Sequence, residues 1–344
     1  REFYGEMLNA NNKTLTLNFA SPNVRTDIKT HCYIDLAGIT SEPTTLTVNL
    51  AGQKANCIIP AINVSDYYTK AEQDSVWIET NAQNNSTQTV QLSFSGRAAG
   101  AKVYLNYVEI NIPCKLTMQD NALSISNTTL LGTSKGIRFH MTNANNQTQI
   151  WRVTDGVNIE QIPTAVDNNN TLSWVGNNTT AEKYVAVNVA NANNWKIPTL
   201  IGKVENQNLH ALSNIDYVII CPKDFVEPAT RLAQKHEEID QLTWAVVTDE
   251  QVYNEFSSGT PDVTAYRWLM KMLYDKAKGV VTAQPKSLLL LGDGTFDNRK
   301  ILVRSGENKL LTFQAKNSTI ETQAYGTDDY CGFLLDNAGI DNNG

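Results

Sequence analysis

The sequence of 344 residues is poor in charged side chains and has no long apolar run. Charged residues make up 18% and hydrophobic residues 41%, which is too apolar for a disordered chain. This length suggests two or three domains. No apolar stretch approaches the roughly 20 residues that cross a bilayer, so we expect no membrane span. Residues 1–6 do not form a signal peptide, and we expect them to come from the interior of a longer protein.

The net charge of −7 is unevenly distributed. Residues 1–205 carry a net charge of −1 and residues 206–344 a net charge of −6. Neither part has the basic surface that phosphate groups require. Nucleic acid is therefore not an expected partner.

Cysteine is scarce and widely spaced, and no CxxC pair occurs. This excludes a zinc site of the usual spacing and a dense disulfide framework. One or two disulfides among Cys32, Cys57 and Cys114 are compatible with export. The alternative is that the cysteines are small buried hydrophobic residues.

The first part of the chain has the two-residue alternation of half-buried strands, separated by turns rich in Asn and Gly. The clearest runs are residues 15–19, 45–50, 90–94 and 103–110. They predict an antiparallel β-sandwich or jelly roll over residues 1–116. Residues 117–205, with strands expected at 137–141 and 184–189, form a second β-rich domain or a continuation of the first.

From residue 206 the pattern changes to continuous apolar strands that alternate with helices. It predicts a partial α/β domain over residues 206–344, with a Rossmann-like parallel sheet and helices on both sides. Strands are expected at 217–221, 243–247, 287–291 and 330–334. Three helices are expected: one at 226–238, one after Thr248 and one from residue 260. The first would have Ala229, Leu232 and Ala233 on one side. The helix from residue 260 would have Pro261 at its first position. Its apolar face would contain Ala265, Trp268, Leu269, Met272 and Leu273.

Ligands bind beyond the carboxyl ends of strands in open parallel sheets, where this sequence has Gly292, Asp293 and Gly294. The following Thr295 completes part of the DxDGT motif of aspartate-nucleophile phosphatases, but Leu291 occupies the nucleophile position. Four acids are candidate calcium ligands in this part of the chain: Asp293, Asp297, Asp328 and Asp329. The alternative is that they are turn-formers.

A Cys–His dyad is not evident in the α/β segment. His210 precedes the first strand, and His236 lies within a helix between charged neighbours. Cys221 and Cys331 lie in apolar runs, as buried thiols do. We therefore assign no catalytic residue, and no motif for a nucleotide or zinc cofactor occurs.

Several stretches of the α/β segment occur in the order found in one peptidase family. They are VYNEFS at 252–257, GTPDV at 259–263, LLGDGTFDNR at 290–299 and TDDY at 327–330. In these motifs the chain resembles the gingipain-like cysteine peptidases, and among them the C-terminal signal peptidases (sortases) of the type IX secretion system. The β-rich part fits the region before the peptidase domain less specifically.

The resemblance implies an exported protease of the Bacteroidetes outer membrane and cell surface. Such an enzyme removes C-terminal sorting domains from secreted cargo and links the cargo to surface lipopolysaccharide. Its partners would be those sorting domains and outer-membrane components of the secretion system. The family's catalytic histidine and cysteine lie later in the domain, and no position here matches them. The chain is thus expected to be an inactive fragment; the alternative is a noncatalytic surface-binding module with a degenerate α/β scaffold.

Overall fold

The computed structural model describes residues 2–63, 65–119, 121–126, 132, 136–177, 180–302 and 306–339. Eight strands occupy the first region, and the alternating burial along them matches the alternation of the sequence. They are β1 (Met7–Asn9), β2 (Thr14–Ala20), β3 (Lys29–Ile39), β4 (Thr44–Leu50), β5 (Gln53–Ile59), β6 (Glu72–Asn81), β7 (Thr87–Phe94) and β8 (Lys102–Asn111).

These strands form two antiparallel sheets with the orders β1-β8-β3-β6 and β2-β7-β4-β5. Every second side chain points inward, and both sheets contribute to one hydrophobic core that includes Ile34, Leu36, Leu46 and Leu92. The predicted antiparallel β-structure of this region is confirmed.

The second region has its own small core, which includes Met141, Ile150 and Trp174. Its antiparallel sheets have the orders β10-β14-β13 and β12-β11-β15-β9. The strands are β9 (Ala122–Ser126), β10 (Ile137–Met141), β11 (Thr148–Arg152), β12 (Glu160–Ile162), β13 (Ala165–Val166), β14 (Leu172–Gly176) and β15 (Lys183–Asn188). Whether residues 117–205 are a separate domain stays a prediction, as do the boundaries after residues 116 and 205.

The third region contains a three-stranded parallel sheet of order β17-β16-β18. Its elements are β16 (Tyr217–Cys221), α1 (Val226–Asp240), β17 (Trp244–Thr248), α2 (Asp249–Phe256), α3 (Val263–Lys276), β18 (Ser287–Leu290), β19 (Phe313–Gln314) and β20 (Gly326–Thr327). Helix α1 covers one face of the sheet at Ile219. Helices α2 and α3 pack over Val218 and Ile220 on the other face.

Helix α3 differs from its prediction in both start and orientation. Asp262 is the N-cap and its side chain accepts a hydrogen bond from Thr264 N, so the helix begins at Val263 and Pro261 lies before it. The buried face contains Ala265, Leu269 and Leu273 but also Tyr266 and Met270. Trp268, which was expected on that face, is 50% exposed. The prediction also failed for Leu232 of α1, which is 37% exposed, because only the small Ala229 and Ala233 approach the sheet.

The strand predicted at 330–334 is wrong. Residues Asp329–Gly332 form a turn of 3-10 helix, with the Cys331 N–H donating to Asp328 O over 3.0 Å. Short apolar runs do not separate strand from buried helix by periodicity. Here the run packs Cys331 and Tyr330 against the core under α3.

All five cysteines are free, so the disulfide alternative for Cys32, Cys57 and Cys114 is wrong for this structure. Four of the thiols are buried and Cys114 is exposed. Burial raises the pKa of Cys32 to about 11. Burial, together with a hydrogen bond to Asp74, raises the pKa of Cys57 to about 12.

The first and third regions are in direct contact, although they are far apart in sequence. Thr69 and Ile320 form an isolated antiparallel bridge. Around it the Lys70 N–H donates to Thr319 O over 2.8 Å, and the Glu321 N–H donates to Tyr68 O over 2.9 Å. Residues 196–206 by contrast are exposed and irregular. In the described part of the chain no helix is long and apolar enough to cross a membrane.

Candidate functional site

The carboxyl edge of the parallel sheet is the candidate site. In the register, Cys221 pairs with Thr248 and Ile220 with Leu290, so the three strands end at the same level. The Leu291 N–H still donates to Ile220 O over 2.9 Å, and the chain then leaves the sheet at Gly292. The carboxyl ends of the three strands therefore lie side by side at one edge of the sheet.

Helix α2 begins directly at this edge. The Thr248 side chain accepts the Gln251 N–H over 3.2 Å, and the Gln251 side chain accepts the Thr248 N–H over 2.9 Å, which forms a capping box. Asp249 follows in the first turn, and burial raises the pKa of its carboxyl above the ordinary value. Burial also raises the pKa of the Cys221 thiol, and the nearby Asp249 charge adds to this effect.

The turn after β18 needs its glycines because another segment of the same chain packs against it. Asp293 O accepts the Lys309 N–H over 2.7 Å and the Leu310 N–H over 3.1 Å. A Cβ on Gly294 would lie 2.7 Å from Leu310 O, and one on Gly292 would lie 2.8 Å from Leu310 Cγ. The backbone segment at 309–310 therefore occupies the space that the two glycines leave open.

The four candidate calcium ligands lie in different surroundings. Asp297 is fully buried, and its carboxylate accepts the N–H groups of Ile301 and Leu302 over 2.9 and 2.6 Å. Asp293 is exposed. Asp328 accepts a hydrogen bond from the Thr312 hydroxyl over 3.3 Å, and the Asp329 N–H donates to Thr327 Oγ1. Within the described residues no group of three or more His, Cys, Asp or Glu side chains could hold a metal ion.

Two buried tyrosines, which the sequence pattern does not identify as site residues, lie between helices α2 and α3 and the segment after Leu310. The hydroxyls of Tyr253 and Tyr266 are hydrogen-bonded, and the Leu311 N–H donates to the Tyr266 hydroxyl over 3.4 Å. Burial raises the pKa of Tyr266 to about 12 and also raises the pKa of Tyr253. The two rings stack at 5.6 Å. The pair thus fixes the segment after Leu310 to helices α2 and α3.

The cysteines and histidines of this region do not meet. Cys221 and Cys331 are almost completely buried, and burial raises the pKa of Cys331 to about 12. His236 lies 2.6 Å from Asp240 on the surface of α1, and His210 lies 2.6 Å from Glu255. No hydrogen bond joins a cysteine to a histidine among the described residues. Among the described residues, the two buried thiols of this region therefore have no histidine beside them that could act as a base.

Comparison with known proteins gives a consistent result for the α/β segment. Residues 210–343 match the model of Peptidase family C25. No curated protein matches the chain significantly.

Among solved structures, dimeric latent PorU from Porphyromonas gingivalis matches 98% of this chain with a TM-score of 0.84 and 26% identity. This chain covers 33% of the PorU chain. A carbohydrate-binding module CBM36 in complex with calcium and xylotriose matches 30% of this chain and 78% of its own length, at 10% identity and a TM-score of 0.21. The CBM22 tandem domain of Paenibacillus barcinonensis Xyn10C matches 51% of this chain and 74% of its own length, at 11% identity and a TM-score of 0.17. At these scores the two modules support no argument.

The suspected resemblance is thereby confirmed on two independent grounds. The family model covers residues 210–343, which include the parallel sheet and its helices. The PorU match extends through both β-rich regions. Residues 210–343 thus match the model of Peptidase family C25, the gingipain family, within a chain whose fold is similar to the matching third of PorU.

Proposed function

We propose that the chain is part of a type IX secretion cysteine peptidase, a sortase that removes C-terminal sorting domains from secreted cargo and promotes its attachment to the cell surface. The observation that carries this proposal is the family C25 match over 210–343, together with the PorU-like fold of the whole chain. The parallel sheet with helices on both faces supports a Rossmann-like, gingipain-type subdomain.

In this proposal residues 1–344 supply scaffold and recognition surface, and the chain alone is inactive. The buried thiols of Cys221 and Cys331 and the surface positions of His210 and His236 support this division. The partners would be sorting domains of cargo and outer-membrane components of the secretion system. The protein would be exported to the outer membrane and the cell surface.

Thiol labelling of the native chain tests whether it contains a catalytic cysteine. Cys114 is exposed and the other four thiols are buried, so iodoacetamide should modify Cys114 alone until denaturant is added. The Cys114→Ser variant should then leave no reactive thiol in the folded chain. Rapid labelling of Cys221 or Cys331 at neutral pH would contradict the proposal, because both thiols are held protonated by burial.

The absence of any hydrogen-bonded Cys–His pair in the described chain favours one alternative. In that alternative the chain belongs to a noncatalytic surface-binding protein with a degenerate α/β scaffold. The two functions differ in the full-length protein: a peptidase loses activity when a cysteine outside residues 1–344 is replaced by serine, whereas a binding module has no peptidase activity to lose. Binding of isolated C-terminal sorting domains to this chain, measured by calorimetry, tests the recognition role separately.

A further inference from the structure

A row of aromatic side chains crosses the outer face of the β1-β8-β3-β6 sheet. Tyr33 of β3 is paired directly with Trp77 of β6, and their ring centroids are 6.3 Å apart. Tyr107 of β8 lies 5.8 Å from Tyr33 on one side, and His31 lies 5.6 Å from Trp77 on the other. These four residues are called the aromatic face below.

The aromatic face is open to solvent, although the strands beneath it are tightly packed. Cys32 and Ile34, which flank Tyr33, are 0% exposed and point into the core, whereas Trp77 is 55% and Tyr107 is 47% exposed. In an antiparallel sheet with one face on the core and the other in solvent, the solvent-facing positions ordinarily carry polar residues. Exposed clusters of tyrosine and tryptophan are typical of binding surfaces, because they offer large rigid contact areas.

Carboxylates border the aromatic face. Glu109 is paired opposite Tyr33, and Asp35 is paired opposite Tyr107. Asp35 accepts a hydrogen bond from the Asn106 side chain over 2.9 Å, and Glu109 accepts one from Asn111 over 3.1 Å. Among the ion pairs of the described residues neither carboxylate takes part. The surface therefore combines electron-rich ring faces with two negative charges that have no countercharge.

We propose that the aromatic face binds a basic segment of a partner protein, with arginine or lysine side chains over the rings of Trp77 and Tyr107. Cations are attracted to aromatic faces, and Asp35 and Glu109 would form the ion pairs that the structure leaves open. The proposal concerns the first β-region only and does not depend on the peptidase assignment.

Two other occupants fit the surface less well. A second copy of the chain in a two-fold contact would bring the same two carboxylates against each other, and like charges across an interface cost free energy. A neutral glycan could stack on the rings but would leave Asp35 and Glu109 without a countercharge. Charge complementarity favours the basic segment.

The test uses the full chain and an octapeptide of alternating arginine and glycine, with the neutral citrulline peptide of the same length as its control. Calorimetry at low salt should show saturable binding of the arginine peptide. Affinity should fall about tenfold in Trp77→Ala, as expected for loss of one partly desolvated cation–π contact. Trp195→Ala is the matched control, because Trp195 is also 55% exposed but lies outside this sheet, and its affinity should be unchanged.

A second pair of variants separates charge from stacking. Glu109→Gln should weaken binding of the arginine peptide several-fold, whereas Glu238→Gln, on the exposed surface of α1, should not. Equal affinity of the Trp77→Ala and Trp195→Ala variants would overturn the proposal, since binding would then be nonspecific attraction to an acidic chain. Binding of a neutral xylan or mannan hexasaccharide that Trp77→Ala abolishes, or a dimer that Trp77→Ala dissociates, would overturn it in favour of a glycan or a second copy. Absence of binding by either peptide would refute it outright.

Discussion

Replacement of Glu255 by glutamine tests how the chain is fixed as it enters the parallel sheet. Four nitrogen atoms of the segment before β16 lie within hydrogen-bonding distance of the Glu255 carboxylate. Leu209 N lies at 2.6 Å, the Gln207 amide at 2.9 Å, His210 N at 3.0 Å and His210 Nδ1 at 2.6 Å. Glutamine keeps the shape of the side chain but replaces one accepting oxygen by a donor. We therefore expect the segment at 207–211 to loosen in Glu255→Gln.

The depressed pKa of Glu255 gives the size of the stabilisation that the ionised carboxylate provides. Burial opposes ionisation, but the hydrogen bonds from Leu209, Gln207 and His210 outweigh it and lower the pKa from 4.5 to about 2. A tenfold change in proton affinity corresponds to about 1.4 kcal/mol, so the ionised carboxylate contributes about 3 kcal/mol to the folded state. The side chain is only 15% exposed, so solvent screening removes little of this contribution. Because the folded-state pKa is depressed, the stabilisation is complete well above pH 4.5 and is lost as the pH falls towards 2.

Hydrogen exchange at the Leu209 and His210 amides measures this contribution locally. The opening free energy of these amides should fall by about 3 kcal/mol in Glu255→Gln at pH 7, and by only about 1 kcal/mol at pH 3. A protonated carboxyl group and a carboxamide have nearly the same hydrogen-bonding capacity, so the two proteins should converge with acid. Glu238→Gln, whose side chain is 62% exposed, is the control and should change exchange at neither amide.

Two results would refute this reasoning. A difference between wild type and variant that stays constant from pH 7 to pH 3 would mean that shape, and not charge, governs the contact. Unchanged protection at pH 7 would mean that the carboxylate does not hold the segment.

The other predictions concern helix capping, core packing and the acidic loop. Thr248→Ala removes the capping box of α2 and should lower the free energy of unfolding by about 1 kcal/mol, measured by urea denaturation, while Thr248→Ser should retain most of it. Leu269→Ala should cost about 2–5 kcal/mol because the side chain is 0% exposed, whereas Trp268→Ala on the same helix should cost less than about 1 kcal/mol; equal costs would contradict the observed orientation of α3. Calcium binding by Asp293, Asp297, Asp328 and Asp329 stays a prediction. A cation that binds only the folded chain stabilises it, so millimolar calcium should then raise Tm. That rise should disappear in Asp328→Asn, and an unchanged Tm would leave the acids as turn-formers.

Sequence reasoning succeeded where one local signal dominates. The five buried residues of β16 appear as a continuous apolar run, and the cap of α2 appears as Thr248 before two acids. It failed at Trp268, because Tyr266 and Met270 are also apolar and the pattern fits two orientations of α3. It also failed at Cys331, where a run of five residues is too short to distinguish a strand from a turn.

The aromatic face could not be predicted from the alternation of β8, because the inward-facing positions shift by one residue within this strand. Val103 and Leu105 point inward, and strict alternation would place Tyr107 inward as well. The register shifts between Asp35 and Leu36, and this irregularity turns Tyr107 outward. The sequence does contain the signal, since Val108 follows Tyr107 directly and breaks the alternation. The ring contacts across three strands could not be predicted, because strand order depends on pairings distant in the sequence.

The bridge between Thr69 and Ile320 makes the chain a closed loop that contains the second β-region, the exposed segment at 196–206 and the parallel sheet. The first and third regions are thus joined in two ways, one covalent and one through backbone hydrogen bonds and the Lys70–Glu321 ion pair. A single cut in the exposed segment would sever the covalent attachment without removing the other. This second attachment joins the two regions directly, so it does not depend on the length of the exposed segment.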